Sequence, residues 1–168
     1  GGLTLGFAGT KYETAFKELA EQTVSFEKFN ADILDPYKEK HSADTADITD
    51  LLDEIETYFG LTVNDLTEAE QEMVQRAFIR SMKGDVERAA QEDTKILYGG
   101  YEPLTVTLTH ILNQKAGLSW TSYSHTAVPV PTFALGVGAS QFNGYYDNTD
   151  IFHKMVKSMG LSSMVAAK

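Results

Sequence analysis

The 168-residue sequence has no cysteine, which excludes disulfides, thiolate zinc sites and cysteine nucleophiles together. That absence does not fix a compartment. Cations are also scarce: 14 Lys and Arg stand against 24 Asp and Glu, a formal net charge of -10. Such a surface repels phosphate backbones and argues against nucleic acid as a partner. No apolar run approaches the roughly 20 residues that cross a bilayer, so no membrane span is expected. The chain carries no P-loop, no G-x-S-x-G elbow and no H-E-x-x-H. It opens on Gly1-Gly2 without a basic-then-apolar leader, and is therefore expected to be a piece of a longer protein.

What is present is globular in character, 42% hydrophobic and 23% charged. A domain of this size buries about 68–70% of its unfolded surface, enough for a core of its own. The charge is unevenly spread. Residues 13–93 hold 21 of the acidic and 8 of the basic residues, whereas 11 of the 13 glycines lie outside them. That asymmetry suggests a polar helical insert between two Gly-rich pieces of a different body.

The insert reads as helices. Ile48, Leu51, Leu52, Ile55, Tyr58 and Phe59 recur at spacings of three and four. Asp44 or Thr45 is the expected start, and Gly60 the C-terminal stop. Thr67 to Glu70 has the form of a capping box, followed by a stripe of Met73, Val74, Ala77, Phe78 and Met82. Tyr12, Phe16, Leu19 and Ala20 suggest an earlier helix, and Val24 to Leu34 another that ends before Pro36. The acidic residues of these helices read as a solvated face rather than a binding surface.

The flanks alternate strands and helices. Leu3 to Phe7, Ser119 to Tyr123 and Val128 to Leu135 are predicted strands, the last restricted to an edge or a strand start by Pro129 and Pro131. Pro103 opens a helix striped by Leu104, Leu108, Ile111 and Leu112 up to Gly117. Asn148 or Thr149 is expected to cap a final helix carrying Ile151, Phe152, Met155, Val156 and Met159. The pattern makes the flanks α/β. Of the four histidines, His41 reads as solvated surface, His110 as a packed or solvent-facing helix residue, and His153 as local polar surface. His125 differs because it ends a strand-like run. One imidazole cannot make a zinc site, which takes three or four protein ligands.

The run Trp120 to Val130 (WTSYSHTAVPV), then Gly136 to Ala139 (GVGA) and Phe142 to Ile151 (FNGYYDNTDI), resembles the carboxy-terminal end of bacterial alkaline phosphatases. In that family a strand leads into a His-Thr-Gly step, a further strand, a glycine turn and a D-N-T/Q-D-[IL]-F opening of the last helix. Gly1-Gly2-Leu3 is similar to the tail of the family's D-H-E-x-G-G segment. The resemblance is specific over about 117–160, reasonable over 1–10 and approximate between. Ala127 departs from the glycine more usual there.

The resemblance implies a fragment of an α/β sandwich: residues 1–12 as a core strand segment, 13–95 as an acidic cap-like or crown-like helical insertion, and 96–168 as the carboxy-terminal part of the core. It implies a periplasmic or secreted parent that hydrolyses phosphate monoesters through a serine nucleophile, two zinc ions and magnesium. His125 matches the histidine that binds the first zinc. Tyr123 and Thr126 flank it without a transferable role. The serine, the phosphate-gripping arginine and the other ligands are expected before Gly1. The chain alone is then expected to hold no catalytic residue, no tightly bound metal and no activity, with the helical middle free of metal chemistry. Exposed edges at Leu3 to Phe7 and Val128 to Leu135 imply a homodimer or strand-exchanged oligomer. Two other readings stand beside this one. One is another member of the same superfamily, such as a phosphodiesterase, sulfatase or phosphonate hydrolase. The other is a non-enzymatic acidic helical interaction module.

Overall fold

The computed structural model describes residues 2–6, 12–83 and 92–161. The chain divides into two units, residues 1–126 and 127–168. The described residues are mostly helical, with two three-residue strands among them.

In the first unit, β1 (Leu3–Leu5) pairs antiparallel with β2 (Leu118–Trp120), Leu3 opposite Trp120 and Leu5 opposite Leu118. Between them come a 3₁₀ turn (Phe16–Glu21), α1 (Phe26–Phe29), a π turn (Asn30–Leu34) and α2 (Asp35–Lys40). Next are 3₁₀ Ile48–Leu51, α3 (Leu52–Phe59), 3₁₀ Val63–Asp65, α4 (Glu68–Ser81), α5 (Glu92–Tyr98) and α6 (Pro103–Lys115). The second unit has 3₁₀ Ala139–Phe142 and α7 (Asp150–Ser158).

The core of the first unit is one cluster. Phe29 and Phe59 meet edge to face at 5.2 Å, and Phe78 of α4 and Leu108 of α6 are sealed with them. Thus α6 packs along α4 within the same core as residues 29–66. Three expected devices hold it in place. Gly60 adopts φ 65° and ends α3. Thr67 and Glu70 exchange bonds as a capping box at α4. Pro103 occupies the first turn of α6, where its missing N–H costs nothing.

At the start of α6 the amides of residues 104 and 105 lack an intrahelical partner and find side-chain acceptors, and the first intrahelical bond follows at Val106. Pro103 has no N–H. Leu104 donates to the buried Ser81 Oγ at 2.9 Å, Thr105 to the Glu102 carboxylate at 3.0 Å, and Val106 to the Glu102 carbonyl. At the other end, Lys115 donates to the Asp65 carbonyl at 2.6 Å and to Glu70 at 3.1 Å, tying it to the start of α4.

Several expectations are corrected. Pro36 does not end a helix at Leu34: the helical path runs from Phe26 to Lys40 through the π turn. Asp35 N–H reaches back to the Asn30 carbonyl, and this wider turn relieves the clash a proline ring makes with the preceding turn. The helix over 48–59 starts at Asp47, whose carboxylate accepts from Thr49 N–H, and not at Asp44 or Thr45. Met73 is exposed on α4; the buried positions are Val74, Ala77, Phe78 and Ser81. Of the segment 12–20 only the part from Phe16 is helical, as the 3₁₀ turn Phe16–Glu21, and none of its residues is buried. Val128 to Leu135 forms no strand, since Pro129 and Pro131 withhold two ladder donors and no described strand lies alongside. The first strand spans Leu3–Leu5, and Phe7 lies outside the described residues. The second ends at Trp120 rather than Tyr123, and beyond it side-chain hydroxyls bond backbone carbonyls. Thr121 Oγ1 donates to the Gly2 carbonyl and Ser122 Oγ to the Ser124 carbonyl.

In the second unit neither Asn148 nor Thr149 caps α7 with its side chain. Asp147 does so, accepting from Thr149 N–H at 3.0 Å, while Asp150 accepts from Asp147 N–H at 3.1 Å. The Asp147 carboxylate thus bonds the amide two residues on while Asp150 N–H goes to the Asp147 carbonyl, an Asx turn leading into the helix rather than a reciprocal capping box. Of the expected α7 stripe only Val156 is buried. Lys154 donates to the Gln141 carbonyl and lies over the Tyr146 ring, 4.2 Å from its centroid.

Candidate functional site

Helix α6 ends in a sharp reversal. Gly117 turns the chain at φ 78°, β2 runs back beside β1, and residues 121–125 then pass across the side of α6. Tyr123 is clamped there from three directions. Its hydroxyl donates to the Leu97 carbonyl. Its ring stacks on His110 of α6 at 5.2 Å and 16°. Behind it lies Gly99 at φ 65°, where a Cβ would overlap the Tyr123 side chain, so glycine is required twice over.

Tyr101 continues the row. Its hydroxyl donates to the Tyr123 carbonyl at 3.3 Å, and its ring meets Phe26 edge to face at 5.9 Å. Trp120 donates its indole N–H to Asn113 Oδ1 at 3.3 Å while remaining 48% exposed. Together these rings wall a groove of about 770 Å³, which His110, Ser122, Ser124 and His125 also line.

Burial pushes His110 below the ordinary imidazole pKa, because a desolvated ring resists charging. Burial, and then the charge of nearby Tyr98, raises Tyr123. At neutral pH both partners of the stack are therefore uncharged. Elsewhere, burial raises Glu70 but is outweighed by bonds from the Thr67 amide, Lys115 and the Thr67 hydroxyl, which hold its carboxyl below the usual range.

The four histidines are not brought together as a metal site. His41 is half-buried, stacked on Tyr37 at 4.3 Å, which corrects its reading as simply solvated. His153 is exposed, edge-on to Phe152. His125 is exposed and lines the groove. Thr126 is exposed beside it. Among the described residues no group of three or more His, Asp or Glu side chains converges to hold a metal. The residues present therefore do not fit a complete zinc site; His125 offers a single donor.

The groove was not anticipated from the residue pattern. Its walls come from residues 26–27, from 99–110 and from 120–125, too far apart for any local signal. Its one trace is the Tyr98-Gly-Gly-Tyr101 run, in which paired glycines between tyrosines mark a close approach of another side chain.

The alkaline phosphatase family model matches residues 40–161, a span that includes α4, α6, the groove's tyrosines, His125 and α7. The chain belongs to the alkaline phosphatase family. Among curated proteins it is similar to alkaline phosphatase 4 of Bacillus subtilis (strain 168), 34% identical over 76 residues. That match covers 44% of this chain and 15% of the relative's length. No solved structure matches the chain.

Proposed function

We propose that this chain is the carboxy-terminal portion of a metal-dependent alkaline phosphatase that hydrolyses phosphate monoesters through a phosphoserine intermediate. Its serine, its phosphate-binding arginine and its remaining metal ligands belong to residues outside the chain. In this reading two zinc ions and magnesium supply charge stabilisation and an activated water in the whole enzyme. The chain's part is to present one imidazole, His125, from a segment anchored by β2 and the Tyr123 clamp. The α/β sandwich, the cap-like role of residues 13–95 and a periplasmic or secreted location belong to the same proposal.

One observation carries it. Within the span matched by the family model, the WTSYSHT run delivers an exposed imidazole to the wall of a groove. A rigid scaffold beneath a ligand is what holds catalytic geometry. The chain's own groove contributes shape, and in this reading the chain alone is inactive, no complete ligand set converging among its described residues.

In the full-length enzyme, His125→Ala is expected to lower kcat/KM for a phosphate monoester at least about a hundredfold with the fold intact. Calorimetric titration of the 168-residue chain with zinc should show no tight stoichiometric binding. Near-normal turnover by the variant, or tight binding by the chain, would overturn the assignment. Preference for a diester or a sulfate ester would assign it to another branch of the superfamily.

A further inference from the structure

The groove has a composition that a phosphate-binding pocket would not have. Among the described residues no Lys or Arg lines it, Glu27 is the carboxylate on its wall, and burial disfavours the charged form of His110. Its surface is instead ring-rich: Phe26, Tyr101, Trp120 and Tyr123. At about 770 Å³ it lies within the roughly 300–1,000 Å³ of small-molecule sites.

We infer that the groove receives the aromatic ring of an aryl phosphate's leaving group, with Trp120 as its stacking face. The inference rests on the phosphatase reading, in which His125 on the same wall belongs to the phosphoryl centre. Trp120 is suited to the role because its N–H is already committed to Asn113 while the indole is 48% exposed. A ring arriving there meets a fixed apolar face and leaves no donor unpaired. Tyr123 cannot swing away, being held by Leu97, His110 and Gly99, so little ordering entropy is lost on binding. With no Lys or Arg among the described residues of its wall, the groove selects for the organic group and leaves the phosphoryl group to the metal centre. Trp120 is thus a specificity-determining residue.

The test uses the indole of Trp120, the single tryptophan of the chain, as a ¹H–¹⁵N NMR reporter. Phenyl phosphate titrated into the 168-residue chain should saturate the indole shift at a concentration about tenfold lower than ethyl phosphate. Phenol should displace it, and inorganic phosphate should not. In the full-length enzyme, Trp120→Ala should lower kcat/KM for phenyl phosphate roughly tenfold and for ethyl phosphate about twofold or less, with Trp120→Phe keeping most of the preference. Equal saturation by the two esters, displacement by inorganic phosphate, or an unchanged phenyl-to-ethyl ratio in a folded Trp120→Ala enzyme would overturn it. The last result is the one expected if other polypeptide fills the groove. If His125→Ala left turnover intact, the phosphatase reading would fail while the indole titration still reported on the groove.

Discussion

The segment from Val128 to Val137 has six hydrophobic residues in ten and helix α6 only five in thirteen, yet it is α6 that is buried. Leu104, Leu108 and Ile111 are 0% exposed, whereas Phe133 is 91% exposed and Leu135 and Val137 are fully so. The difference lies in periodicity and partners. A helix gathers residues three and four apart onto one face by itself, and α4 supplies a complementary face within the same unit. An extended segment sends alternate side chains to opposite sides and buries them only when other strands arrive. Apolar content therefore does not predict burial; the source of the partner does.

The largest test of this contrast is a pair of truncations. Leu108→Ala removes a sealed side chain from the core and is expected to cost about 2–5 kcal/mol, because surrounding groups collapse only partly into the space. Leu135→Ser removes a side chain already in water, and should change stability by about 0.5 kcal/mol or less. Urea denaturation of the chain monitored by helical circular dichroism measures both. A loss on Leu135→Ser comparable to that of Leu108→Ala would mean that the exposed segment is packed.

A smaller effect tests how α6 begins. Ser81→Ala leaves the shape of α4 nearly unchanged but deprives Leu104 N–H of its acceptor at a fully buried position. An unpaired buried donor costs about 1–3 kcal/mol. Ser81→Thr keeps the hydroxyl and should retain part of that stability, so the two variants separate a lost bond from lost packing. Equal destabilisation by both would assign the effect to packing.

These contrasts also show what was legible beforehand. The helices of the core were, because their signals are local: a capping box at Thr67 and Glu70, prolines and glycines at helix ends, stripes at spacings of three and four. The acidic excess was legible as a number but not as a role. Asp47, Asp65, Glu70, Glu102 and Asp147 each accept a backbone amide at the start of a helix or turn, so part of that charge is spent on capping. The passage through Pro36 was hidden because a π turn leaves no residue signature as regular as a heptad. The strand at Val128 was misread because β-branched residues record a preference and a ladder needs a neighbour. His125 stood out by its place in a family-like run, and it lies exposed on the groove's wall. The groove beside it was illegible, since its three wall segments meet only after the core has formed.

The smallest expected effect concerns the two histidines of the groove's wall, one half-buried and one exposed. Burial lowers the pKa of His110 in the folded chain below the value of about 6.5 it has when unfolded. The unfolded chain therefore binds more protons in the window between the two values, and stability rises with pH across it. The contribution of neutral His110 is fully present above about pH 6.5 and is lost as pH falls through the folded value. Tyr123, stacked on it and raised by burial, carries no charge in that range and does not oppose the shift. His110→Gln should thus lose less stability than the parent between pH 7 and pH 5. The carboxylates of Asp47, Asp65, Glu70 and Asp147, all held below their ordinary values, titrate in more acid solution and equally in both proteins. Because His110 is only half-buried, solvent screens the effect and the gap between the two curves should be small. Urea midpoints at pH 5, 6 and 7 measure it. Parallel curves would show that the His110–Tyr123 stack does not exclude enough water to disfavour the charged ring.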